Sequence, residues 1–215
     1  MSKQAPVVGW EPTNPRTSQG PELHQDRALR TRALVLNCAA EIFADKGYRG
    51  TSIQDVAAKA GMTKGAVYFH FPSKDILTVA VVEEHYTRWP VMLESVRARK
   101  LSPLDTVVAL LDLVAEAFHT DVVVRGGARL QIEHALIGLP LPTPYVGWIN
   151  LLTQLLEEAD EAGQLRAGVT PAAAARAIVG AFFGMQHVSE TVSQRADLPA
   201  RWSEMRELLF YSIRA

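Results

Sequence analysis

Residues 61 to 75 read GMTKGAVYFHFPSKD and bring two lysines, a tyrosine and a histidine within fifteen positions. At helical spacing these groups suit the holding of a polyanion better than bond-making chemistry. Lys64 can reach a base edge or a phosphate. Tyr68, three residues after Gly65 on the same face, can donate its hydroxyl to a phosphate, and Lys74 adds a cation beside the free backbone N–H groups of a helix start. Gly65 and Ala66 are small enough for a helix backbone to approach the bases of a major groove. Val67 and Phe71, four apart, should face a scaffold, with Phe69 near them. The plainer alternative is a tight turn between small helices, with Tyr68 and His70 at the rim of a core.

A second set of residues suits a small molecule. Val82, Tyr86, Trp89 and Leu93 fall on one helical stripe, Tyr145 and Trp148 are one turn apart behind the proline-rich GLPLPTP, and Gln131 interrupts an apolar stretch. They either fill a core or line an apolar pocket with a few polar tips, and a buried hydroxyl or amide needs a partner that a ligand could supply.

The elements that must position these residues are helices. From Gln25 onward nearly every segment has helical period and no strand pattern stands out, so the 215-residue chain reads as all-α with about nine helices. Helix one is predicted over 27 to 46, with Leu29, Ala33, Leu36, Ala40 and Phe43 on its inner stripe and Gly47 as its left-handed cap. Ser52 with Asp55 forms a capping box in acidic form at the start of helix two, and Thr63 caps helix three. The turn AGM between them has the length of a helix-turn-helix joint. Ser73 caps a long fourth helix, from about 74 to 99, that Pro90 should kink. Helices five and six follow over SPLDTVVALLDLVAEAF and VVVRGGARLQIEHALIG. Helix seven runs from Pro144 to about Ala162, helix eight starts at Thr170, and helix nine carries Trp202, Met205, Leu209 and Ile213 on one face. Small residues at 173, 177, 180 and 184 let another helix approach helix eight closely. Helices eight and nine are thus the expected contact of a homodimer, an intrachain helix contact being the alternative.

Three segments follow from this pattern: a flexible tail over 1–23, a DNA-binding helix-turn-helix domain over 24–76, and a ligand-binding and dimerisation domain over 77–215. The middle segment carries a net charge of +3 and the last one −4, the layout of a protein with a polyanion at one end. The single cysteine, Cys38, excludes a disulfide framework and a cysteine-ligated metal site. No metal or cofactor is expected. No segment looks membrane-spanning and no signal-peptide layout is present, which points to a cytoplasmic protein. An enzyme is the competing class, but no H-E-x-x-H, G-x-S-x-G or glycine-rich phosphate loop appears, so the chain does not read as one.

The string FADKGYRGTSIQDVAAKAGMTKGAVYFHFPSKDIL resembles the DNA-binding domain of the tetracycline-repressor (TetR) family over residues 27 to 80. The resemblance implies a homodimeric helical repressor that binds a palindromic operator in double-stranded DNA and releases it when a small molecule binds. It assigns Thr63, Lys64, Gly65, Ala66, Tyr68, His70 and Lys74 to the DNA face, where His70 either faces DNA or supports the helix. A narrower likeness, carried by EEHYTRWP, GARLQ, PLPTPYVGW and GAFFGMQHVS, is to actinobacterial receptors for γ-butyrolactone, butenolide and furan signals that control antibiotic production, above all to receptors of methylenomycin furans. That likeness implies Tyr86, Gln131, Tyr145 and Trp148 as pocket residues, with Trp89 beside Tyr86 on the same stripe. For a carboxylate ligand, Arg129, His85 or a tyrosine would supply the donor or cation. A drug-sensing repressor of an efflux gene shares the fold and is the other reading.

Overall fold

The structure is a computed structural model that describes residues 20 to 215, with side chains described from residue 25. Ten helices and no strand occur among these residues, apart from a single bridge between Leu165 and Arg214. Most of the expected tail lies outside the described residues, and its last four positions are helical. The helices are α1 (Gly20–Gly50), α2 (Ile53–Lys59), α3 (Lys64–His70), α4 (Lys74–Arg97), α5 (Pro103–Thr120), α6 (Val122–Ile132), α7 (His134–Ile137), α8 (Val146–Glu161), α9 (Pro171–Ser193) and α10 (Leu198–Ile213).

Local chemistry accounts for the first boundaries. Ser52 accepts from the Asp55 backbone N–H while the Asp55 carboxylate accepts from that of Ser52, a complete capping box. Thr63 accepts from Ala66 N–H, and Ser73 from Ile76 N–H. Each satisfies one of the donors a helix start leaves open. Gly47 has φ 67° with ψ −177°, which kinks α1 instead of giving the expected left-handed cap.

Several expectations need correction. Among the described residues helix α1 extends back to Gly20, beyond the expected 27, and Leu29 and Ala33 are exposed while Leu36, Ala40 and Phe43 are buried. Helix α4 contains Pro90, as expected, and stays helical on both sides of it. The expected sixth helix is divided at Glu133, whose φ/ψ of −85° and 4° leaves the helix between α6 and α7.

Two apolar clusters form the core. One joins α1 to α3 with the first half of α4 and parts of α6 and α7, through Phe43, Val56, Val67, Phe71, Leu77 and Leu130. The other fills the bundle of α4, α5, α8, α9 and α10 around Leu110, Phe118, Leu152, Ile178 and Phe182. Helix α6 contributes to both clusters and packs on both α1 and α4. Consecutive glycines permit this. A Cβ on Gly126 would stand 2.4 Å from the Ala40 carbonyl oxygen of α1, and one on Gly127 would stand 2.4 Å from His85 Cβ of α4.

Candidate functional site

Helix α3 is held by Val67 and Phe71, both buried, and presents its other side to solvent. At Gly65 a Cβ would meet only the Thr63 hydroxyl, at 3.9 Å, so packing within the chain does not demand glycine there. The ammonium of Lys64 stands 5.6 Å from the centre of the Tyr68 ring, which puts both on one edge of the helix. Tyr68 is exposed and His70 half-buried. Phe69, expected near the scaffold, is instead 82% exposed and meets His70 edge-on at 5.2 Å. With Val67 and Phe71 turned inward, the helical rotation of about 100° per residue carries residue 69 to the far side.

Lys74 lies elsewhere. Its ammonium turns inward and donates to the carbonyls of Tyr48 (3.0 Å) and Thr51 (3.2 Å), 4.1 Å above the Tyr48 ring. The Tyr48 hydroxyl donates to Asp75 at 2.5 Å, and that bond, with burial and the carboxylate's charge, pushes the phenol up to about 12. The chain beyond the Gly47 kink is thereby tied to the start of α4.

The second site is a narrow cleft of about 20 Å³, room for little more than a water molecule, between walls formed by His85, Tyr86, Gln131, Tyr145, Trp148 and Gln186, together with Ala128, Ile132 and Phe183. Four of the five ligand-binding candidates meet here. The fifth, Trp89, stands behind the wall, 4.8 Å from the His85 ring and 5.1 Å from Trp148, and borders a separate hollow with Pro90 and Leu151. Past Ile132, Tyr145 and Phe183 a wider, apolar groove of about 550 Å³ continues along Gly180 and Gly184 of α9.

The polar groups of the cleft are few. The Tyr86 hydroxyl donates to Gln131 Oε1 at 3.1 Å, which leaves the amide nitrogen of Gln131 as the donor; it is buried and has no partner among the described residues. Burial raises the phenols of both Tyr86 and Tyr145, so both remain neutral donors at physiological pH. Tyr145 also adopts a left-handed φ of 67° at the start of α8, a conformation that costs a non-glycine residue energy and tends to be kept at binding sites. His85 cannot be the cation considered for a carboxylate. Burial lowers its pKa to about 4, and its Nδ1 lies 3.2 Å from the Val124 carbonyl. Arg129 is engaged with Glu133.

Sequence reasoning missed Phe183 and Gln186. Gln186 is buried, and with its amide oxygen turned toward Arg195 it accepts from Nε and Nη2 at 3.1 and 2.8 Å. Its signal was visible as a polar residue inside the apolar run of α9.

Residues 35–81 match the pattern of bacterial regulatory proteins of the tetR family, and residues 101–214 match the tetracyclin repressor-like C-terminal domain. The A-factor receptor protein of Streptomyces griseus is 34% identical over 189 residues, covering 88% of this chain; the chain spans 66% of that protein's length. A solved structure that addresses the control of antibiotic production by bacterial hormones is 59% identical, with a TM-score of 0.80 over 87% of this chain and 99% of its own. A γ-butyrolactone receptor is 28% identical, with a TM-score of 0.76 over 87% and 90%. CprB of Streptomyces coelicolor, 28% identical with a TM-score of 0.75 over 87% of this chain and 90% of its own, is solved in complex with its operator sequence, and the proteins of the matching family are regulators rather than enzymes. The chain therefore belongs to the TetR family of bacterial transcriptional regulators.

Proposed function

We propose that this regulator is a signal-responsive repressor. It binds a palindromic operator as a dimer and is released by a small diffusible molecule of the furan-carboxylate or γ-butyrolactone/butenolide type that controls antibiotic production in the cytoplasm of its host. The observation that carries the reading is the Gln131 amide, a buried donor without a partner in an aromatic cleft beside two tyrosine hydroxyls. An unmade hydrogen bond at a buried donor is costly, and an acceptor oxygen on a compact ring removes that cost. A carboxylate or lactone carbonyl supplies such an oxygen, and the apolar groove beyond Phe183 suits an alkyl tail.

On the DNA side Thr63, Lys64, Gly65, Ala66 and Tyr68 form the groove-facing edge of α3, with His70 at its end. Lys74 retains one N–H beyond its two carbonyls and stands at the start of α4, where backbone donors favour a phosphate. Dimerisation through α9 and α10 is supported by the exposure of Ala173, Ala177, Gly180 and Gly184, together with Val188, Val192, Leu208 and Tyr211. The ligand acts by favouring a dimer whose two recognition helices no longer match consecutive major grooves.

The test is a gel shift of the protein on DNA upstream of its own gene, with a panel of γ-butyrolactones, butenolides and alkyl furan-carboxylates. Loss of the shifted band with one class establishes the repressor and names its chemistry. A band unmoved by the whole panel but released by unrelated hydrophobic drugs replaces this reading with a drug sensor.

A further inference from the structure

Glu133 stands where the expected sixth helix breaks, and its side chain is only 16% exposed. One carboxylate oxygen accepts from Arg129 Nε at 2.8 Å, and the other accepts from the backbone N–H of Tyr48 at 2.7 Å, across 85 residues of sequence. Gly47 is shaped to this contact. Its positive φ turns the chain out of α1, and a Cβ there would stand 2.3 Å from the carboxylate. An N–H released from a helix at such a kink needs an acceptor, and a carboxylate is the strongest one available.

The residue held in this way organises the helix-turn-helix. The Tyr48 carbonyl accepts from Lys74, its hydroxyl donates to Asp75, and Thr51, whose hydroxyl donates to the Gly47 carbonyl, gives Lys74 its second carbonyl. Lys74 and Asp75 open α4 four and five residues after the end of α3. On the other side of Glu133, Gln131 and Ile132 line the cleft.

We propose that Glu133 is the positioning residue through which occupancy of the cleft reaches the recognition helix. A ligand that engages Gln131 draws on the last turn of α6, and Glu133 passes the displacement to Tyr48 and so to the start of α4. This deepens the ligand-release reading above and rests on it. It places the link on α6, whereas a link through α4 alone would leave Glu133 without a role in release.

The test uses the full-length protein and a fluorescent operator, with a synthetic alkyl furan-carboxylate as probe. In the wild type, saturating probe weakens operator binding by about 10-fold or more. In Glu133→Ala the probe still binds within about 3-fold, as titration calorimetry reads it, but the operator affinities with and without probe come within about 3-fold of each other. Glu133→Gln keeps an acceptor oxygen for the Tyr48 N–H and retains most of the wild-type response. Release from Glu133→Ala equal to that from the wild type overturns the proposal. If no probe releases the wild type, the ligand reading fails by itself, and Glu133 is judged by hydrogen exchange. Operator binding should change exchange across residues 128–137 in the wild type but not in Glu133→Ala, and an identical change in both overturns the link. If Glu133→Ala does not fold, the Glu133→Gln response decides: a response retained in most part supports the link through the acceptor, and an abolished one overturns it.

Discussion

Gly126→Ala tests the claim that α6 is wedged between the DNA-binding helices and the effector bundle. The new Cβ would lie 2.4 Å from the Ala40 carbonyl oxygen, 2.8 Å from its Cα and 2.9 Å from its carbonyl carbon, all backbone atoms that cannot rotate away. That is about 1 Å inside ordinary contact. Helix α6 cannot retreat toward α4, because Gly127 already seats it on His85 with no room for even a methyl group. Helix α1 must therefore move, and α1 scaffolds α2 and α3. Overpacking of this kind costs about 3 kcal/mol at the upper end of its usual range. The better helix propensity of alanine offsets about 1 kcal/mol. The net loss of about 2 kcal/mol lowers Tm by about 4–8 °C for a chain of this size. Operator affinity should fall by about 10-fold or more, since both half-sites require an exact spacing of the recognition helices. Gly147→Ala, at a helical glycine with nothing within 4 Å, is the control: it should leave operator affinity unchanged and, through helix propensity alone, hold Tm or raise it by up to about 2–4 °C. Thermal melting by circular dichroism and operator titration by anisotropy read the result. A Gly126→Ala protein with wild-type Tm and wild-type operator affinity refutes the argument.

Other outcomes follow from the same geometry. Lys74→Ala removes two hydrogen bonds to carbonyls as well as a cation, so it should lower Tm and weaken operator binding; if the lysine also neutralises a phosphate, the slope of log affinity against log salt falls by about 1, and an unchanged slope makes its role purely structural. Gly184→Leu, on the exposed face of α9, should leave helicity intact but shift sedimentation from dimer to monomer, and an unaltered dimer moves the interface elsewhere. His85 makes stability fall on acidification. The unfolded chain takes up a proton near 6.5 while the buried imidazole waits until about 4, so the folded state loses about 2 kcal/mol between pH 6.5 and 5. His85→Asn should flatten that part of the Tm-against-pH curve, and an equal slope in both proteins refutes the assignment.

What was legible in the sequence was mainly local. Ser52, Thr63 and Ser73 cap helices through bonds to residues three positions on, and such bonds leave a pattern a reader can find. The buried stripe of α1 was legible from Leu36 onward, where partners exist, and misleading at Leu29 and Ala33, where periodicity continues past the end of the core. The break at Glu133 was hidden because its cause, the Tyr48 N–H, is far away in sequence. The bonds of Lys74 to the Tyr48 and Thr51 carbonyls were not legible, because those carbonyls lie far away in sequence, after the kink at Gly47. Gln131 was found because one polar residue in an apolar helix is conspicuous; Gln186 carried the same signal on α9.

The pocket and the DNA-binding helices share α6, and this sharing limits how the two can communicate. Helix α6 is fixed against α1 at Gly126, against α4 at Gly127 and by the Tyr86–Gln131 bond, and against the turn after α1 at Glu133. At the two glycines the backbone has no slack, so a force applied there must move whole helices. At Gln131 and Glu133 the contacts are single hydrogen bonds, which can lengthen or change partner at far lower cost. A small molecule supplies only a few hydrogen bonds and some buried apolar area, a differential energy of a few kcal/mol between two states. Energy of that size is enough to re-partner Gln131 and displace the last turn of α6, and too small to reopen the glycine contacts. On the proposed release, the rigid contacts would serve as the hinge about which the DNA-binding helices turn, and the two polar contacts would set which way they turn.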